Sequence, residues 1–73
     1  MDKLKRIIAN ILNIPEDQIS EDLSIYNTDS WDSLSHMELI ADIETEYSIH
    51  LSGEDIVEMI DVKSIIKIIS KYK

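Results

Sequence analysis

The sequence has no cysteine and no phenylalanine, and it holds one glycine, one proline and one tryptophan in 73 residues. Without cysteine it can form neither disulfide staples nor thiolate metal sites, and a reducing compartment suits it. Gly53 is the sole glycine, so a glycine-rich phosphate loop and a nucleophile elbow are both excluded. A calcium loop of the EF-hand type, which needs alternating acids around a central glycine, fails on the same ground. No apolar run approaches membrane-spanning length, and the start Met1-Asp2-Lys3-Leu4 lacks the apolar core of a signal peptide. A cytoplasmic protein with no membrane partner is expected.

Positive charge is also missing from the middle of the chain. Lys3, Lys5 and Arg6 stand at one end and Lys63, Lys67, Lys71 and Lys73 at the other, while fourteen carboxylates lie between Ile7 and Val62. The net charge is −8. Such a centre repels nucleic acid and anionic lipid and attracts partners with basic patches. The plainer reading is a solvated surface that aids solubility. A chain of 73 residues makes a single domain, 1–73, near the lower size limit for an unstapled core. Crowded negative charge opposes compaction, so marginal stability that rises with salt or divalent cations is expected.

What is present is helical periodicity. Asp2 can cap a first helix in which Leu4, Ile7, Ile8, Ile11 and Leu12 share a face, with Asn13 ending it. Pro15 disfavours helix at Ile14 and opens a short turn through Gln18. A polar loop follows from Ser20 to Trp31, with Ile19 and Leu23 tucked inward; a loop of this length in a small domain usually has a function. A second helix spans about Ser33 to Tyr47, with Leu39, Ile40, Ile43 and Tyr47 facing the core and Leu34, Met37 and Ala41 on a neighbouring face. Ser52 and Asp55 resemble a capping box that starts a short helix bearing Ile56, Met59 and Ile60. Asp61 caps the last helix, whose stripe is Val62, Ile65, Ile66, Ile69 and Tyr72, with Ile68 off to one flank. No segment alternates with a period of two for long enough to be a strand. The expected fold is all-α, a small antiparallel four-helix bundle of three long helices and one short, with a long loop between helices 1 and 2.

The residue that stands out is Ser33. Asp32 before it is placed to cap the second helix, accepting from the free amides of its first turn. Ser33 then takes the first helical position, where unpaired amides and the positive end of the helix dipole favour an attached anion. That suits a serine bearing a phosphate ester. A serine after a capping aspartate is also common as ordinary surface, and spacing alone does not decide. Ser30 repeats the Asp-Ser pair but lies in the loop and is followed by Trp31, so Ser33 is preferred. Ser33 and His36 lack an orienting third group for nucleophilic catalysis. His36 is expected to be exposed and His50 to lie in a connector, and Trp31 is either a plug over the helix start, the safer reading for a lone tryptophan, or a contact for partners. No metal site is expected.

The stretch Trp31-Asp32-Ser33-Leu34-Ser35-His36-Met37-Glu38-Leu39-Ile40 resembles the Asp-Ser-Leu attachment motif of acyl carrier proteins. The likeness extends to the Ile14-Pro15-Glu16 turn, the acidic helix ending at Tyr47, the Ile49-His50-Leu51 connector and the helix from Val62 to Ile69. Tyr47-Ser48 stands where the family often has Phe-Gly, which puts the sharpness of that helix stop in question. Ser30 stands where the family often has Gly. The resemblance implies that Ser33 carries a 4′-phosphopantetheine arm, moved from coenzyme A by a phosphopantetheinyl transferase, with Asp32 orienting it. It implies acyl-loading and acyl-processing enzymes with basic docking patches as partners, and a monomeric carrier that is not an enzyme. Leu34, Met37, Glu38, Ala41, Asp42, Glu44 and Ile56 would form the docking surface. The Asp before Ser33 favours acyl over peptidyl carriers. An aminoacyl or peptidyl carrier, and an acidic interaction module without a prosthetic group, stand as alternatives.

Overall fold

The structure is a computed structural model that describes residues 2–72. It holds four α-helices, α1 (Asp2–Leu12), α2 (Ser33–Tyr47), α3 (Gly53–Glu58) and α4 (Val62–Tyr72), and a 3-10 turn at Glu16–Gln18. Among the described residues there is no strand; Ser24 and Asp61 form an isolated antiparallel bridge.

The periodic stripes meet in one core. Leu4, Ile7, Ile8 and Leu12 from α1 and Val62, Ile65, Ile68 and Ile69 from α4 are buried with Leu39, Ile40 and Ile43 from α2. Each aliphatic side chain removed from water contributes roughly 1.5–3 kcal/mol. Ile68, expected on a flank, is buried, while Ile66, expected in the stripe, is half-buried. Ile66 and Ile68, two residues apart, flank the stripe on opposite sides of the helix, so packing decides which flank is covered. Asp2, expected as a cap, is instead the first residue of α1, where its charge complements the helix dipole.

Local chemistry ends the helices. Asn13 and Ser48 both take left-handed backbone, with φ of 57° and 54°. In each case the next amide reaches back five residues in the 6→1 pattern, Ile14 to the Ala9 carbonyl at 3.1 Å and Ile49 to that of Glu44 at 3.2 Å. Ser48 therefore stops α2 as sharply as a glycine, at the steric cost of carrying a Cβ in that conformation.

Contacts between helix ends fix the directions. Lys3, at the start of α1, donates to the Glu46 carbonyl at 3.1 Å and covers the Tyr47 ring at 4.8 Å, at the end of α2. The Leu51 amide donates to Glu44 and the Ile56 carbonyl meets His36, so the chain returns antiparallel along α2. Lys71 and Tyr72, at the end of α4, bond to Asp55 near the start of α3. The long loop is sewn to the connector between α3 and α4: the Ile25 amide donates to the Ile60 carbonyl at 2.9 Å, and that of Val62 to Leu23 at 3.0 Å. Asn27 staples the loop internally, its Oδ1 accepting from the Ser24 amide at 2.9 Å and its amide group donating to the Asp22 carbonyl at 3.2 Å.

Candidate functional site

Asp32 has extended backbone, and its Oδ1 accepts from the Ser35 amide at 2.9 Å. Its backbone carbonyl takes the His36 amide at 2.8 Å, the first turn of α2. The Ser35 amide and then the Ser35 hydroxyl hold the Asp32 carboxyl below the usual carboxylate range. Ser35 also ties the helix start to the loop, its hydroxyl donating to the Ser30 carbonyl at 2.7 Å. Trp31 plugs the junction and is 2% exposed. The loop-to-helix transition is thus fixed on both sides of Ser33.

Ser33 is exposed at the first position of α2. Among the described residues nothing hydrogen-bonds its hydroxyl. Ser35, two residues on, has its hydroxyl engaged and is half-buried. The accessible, uncommitted oxygen at the capped helix start therefore belongs to Ser33, and a bulky phosphodiester fits there without displacing a contact.

One turn along, Leu34 is 73% and Met37 57% exposed, and Glu38, Ala41 and Asp42 are exposed with them. Ile56 is half-buried against the core. Glu44, expected on this surface, is committed elsewhere: its Oε2 accepts from the Leu51 amide at 2.8 Å and lies 3.7 Å from His50 Nδ1. Through Oε2 it anchors the connector to α2.

His36 corrects the expectation of an exposed ring. It is half-buried, stacked beside Trp31 with ring centroids 6.3 Å apart, and both its nitrogens are used. The signal that could have found it was its spacing, since residue 36 lies one turn before Ile40 and so points toward the core face. The capping box is half formed. The Ser52 hydroxyl accepts from the Asp55 amide at 3.1 Å, but the Asp55 carboxylate turns to Lys71 Nζ at 2.8 Å and to the Tyr72 hydroxyl. The hydrogen bond from Lys71 and then that from Tyr72 hold the Asp55 carboxyl below its ordinary range.

Comparison with known proteins gives this geometry its context. A family model of the phosphopantetheine attachment site matches residues 2–69. The acyl carrier protein of Buchnera aphidicola subsp. Baizongia pistaciae is 36% identical over 70 residues, covering 96% of this chain and 90% of the relative. That of Buchnera aphidicola subsp. Schizaphis graminum is 45% identical over 53 residues, 73% of this chain and 67% of the relative. The solution NMR structure of the holo acyl carrier protein from Geobacter metallireducens superposes with a TM-score of 0.83 at 27% identity, covering 96% of this chain and 80% of that one. A four-helix bundle matching an attachment-site model is a carrier that works through a phosphopantetheine group. Within that class, the chain belongs to the acyl carrier protein family, whose members are carriers served by a phosphopantetheinyl transferase and acyl-processing enzymes. Among the described residues no helix is long and apolar enough to cross a membrane.

Proposed function

We propose that Ser33 is the residue of this acyl carrier that bears 4′-phosphopantetheine. The observation that carries the assignment is an exposed hydroxyl, with no hydrogen-bond partner among the described residues, at the first position of a capped helix. In loading, Ser33 Oγ attacks the pyrophosphate of coenzyme A, loses its proton and displaces adenosine 3′,5′-bisphosphate. The arm supplies a thiol that holds acyl groups as thioesters, chemistry the cysteine-free chain lacks.

The chain's own residues present and steer. Asp32 fixes the helix start by its bond to the Ser35 amide, so Ser33 is offered in one orientation. The first-turn amides and helix dipole favour the phosphodiester charge. Leu34, Met37 and Ala41 supply an apolar centre, Glu38 and Asp42 a charged rim, and Ile56 the neighbouring edge from α3. The transferase and acyl-processing enzymes dock here through basic patches, drawn by charge complementarity that speeds encounter more than it tightens binding. The protein is not itself a catalyst in this reading. Because coenzyme A and a free arm thiol belong to a reducing compartment, we place it in the cytoplasm.

The test is the intact mass after incubation with coenzyme A, magnesium and a broad-specificity phosphopantetheinyl transferase. Wild type should gain one arm and Ser33→Ala none. A folded wild type that gains nothing would favour the acidic interaction module, and a gain retained in Ser33→Ala would move the attachment elsewhere.

A further inference from the structure

We propose that His36 is a positioning residue for docking: its ring clasps α3 to the edge of α2 that carries Ser33 and Met37, and so sets the geometry a partner enzyme meets. The inference rests on the carrier reading above for its functional arm, but its structural arm stands alone.

Hydrogen-bond chemistry fixes the ring. Trp31 Nε1 lies 3.1 Å from His36 Nδ1, and an indole nitrogen can only donate. His36 Nδ1 must therefore be the acceptor, which leaves the proton of the neutral ring on Nε2. That nitrogen lies 2.9 Å from the Ile56 carbonyl and donates to it. One imidazole thus joins the plug before Ser33 to the last turn of α3. The Ile56 carbonyl is one of the helix-terminal acceptors without an α-helical partner, and it otherwise takes the Met59 amide at 3.3 Å.

The need for a clasp follows from length. A helix of six residues does not hold itself in water, so its position depends on tertiary contacts. Asp55, next to Ile56, ties α3 to Lys71 and Tyr72 of α4. The hydrogen bond of α3 to α2 is that of His36 to Ile56, while the Glu44 bond to Leu51 holds the connector that leads into α3. Ser33, Met37, Ile40 and Glu44 follow one another along a single edge of α2 at helical spacing, and His36, on the flank beside that edge, holds α3 next to it. His36 is the link nearer Ser33. No ion pair forms on the ring among the described residues: Asp32 on α2 is engaged with Ser35, Asp55 on α3 with Lys71, and Asp29 in the loop and Glu58 on α3 are exposed. The clasp is built from neutral hydrogen bonds.

The experiment compares wild type with His36→Phe, His36→Gln and His36→Asn. Phe keeps a ring and loses both bonds; Gln places an amide near Nε2 and keeps the link to Ile56; Asn places an acceptor near Nδ1 and keeps the link to Trp31. Nitrogen NMR of wild type should show the Nε2–H tautomer, and amide exchange in α3 should quicken in Phe and Asn but not in Gln. In transferase loading, Phe and Asn should raise KM by about three- to tenfold, the range for one lost hydrogen bond, with kcat retained; Gln should restore KM. An Nδ1–H tautomer, or a KM for Phe equal to wild type, would overturn the proposal. So would an equal KM for Gln and Asn, a comparison that holds even where Phe does not fold. A wild type that is never loaded would sink the carrier reading instead, leaving the tautomer and exchange measurements to judge the clasp.

Discussion

Helices α1 and α2 lie against each other yet use their apolar residues for different ends. In α1, Leu4, Ile7, Ile8 and Leu12 are buried and Ala9 and Ile11 pack on them, so its apolar side chains all answer to the core. In α2, Leu39, Ile40 and Ile43 are buried while Leu34, Met37 and Ala41 face solvent beside Glu38 and Asp42. The surplus on α2 lies outside the buried core. Clustered exposed apolar side chains with a charged rim have the composition of a contact surface, and they begin beside Ser33. A third arrangement appears in α3, which is too short for a stripe and is held by hydrogen bonds from both neighbours.

The contrast breaks most visibly by truncation. Ile8→Ala, deep in the α1 stripe, should destabilise the fold by about 2–5 kcal/mol, read as a fall in melting temperature. Leu34→Ala and Met37→Ala should leave stability within about 0.5 kcal/mol of wild type while slowing transferase loading of Ser33. A Leu34→Ala variant that melts early, or loads at the wild-type rate, would place Leu34 with the core rather than the surface.

The hydrogen-bonded anchoring of α3 should show itself in pH dependence. The Asp55 carboxyl is lowered by Lys71 and Tyr72, and the Lys71 ammonium is raised by Asp55. The Asp55 contribution is therefore present above the unfolded carboxyl value near 3.9 and is lost as pH falls through the lower folded value. That of Lys71 is present below about 10.4 and is lost as pH rises through the higher folded value. Asp55→Asn should flatten the acid limb of the stability profile. An unchanged acid limb would show that α3 is not held by this carboxylate. The smallest expected effect is at the end of α2: Ser48→Gly relieves a Cβ in left-handed backbone and should stabilise by about 0.5–1 kcal/mol, visible as a slight rise in melting temperature. A loss of stability would show that Ser48 makes a contact worth more than its strain.

Much of the molecule was legible in the chain. The stripe of α1, most of that of α4, the caps at Asp32, Ser52 and Asp61, and the place of Ser33 at the start of α2 all rest on relations within about four residues, and there the structure agrees except at Ile66 and Ile68. The Trp31 plug was also legible, because a lone large aromatic before a helix start has few other uses. Less was legible where a side chain had a choice of partner. Asp55 was read as completing a local box; it prefers Lys71 and Tyr72, which packing brings to it from 16 and 17 residues away. The bond of Glu44 to the Leu51 amide was not legible; His36 was read as surface and bridges Trp31 to Ile56, 20 residues further along the chain.

The sequence by itself thus determined the helices, their core faces, the cap at Asp32 and the presentation of Ser33, since periodicity and capping are properties of neighbours in the chain. Tertiary structure decided how α3 is held, which of Ile66 and Ile68 turns inward, and which acids remain free for a partner. Those outcomes depend on donors and acceptors that meet only after the helices pack, when a polar group left without a partner would carry its full desolvation cost.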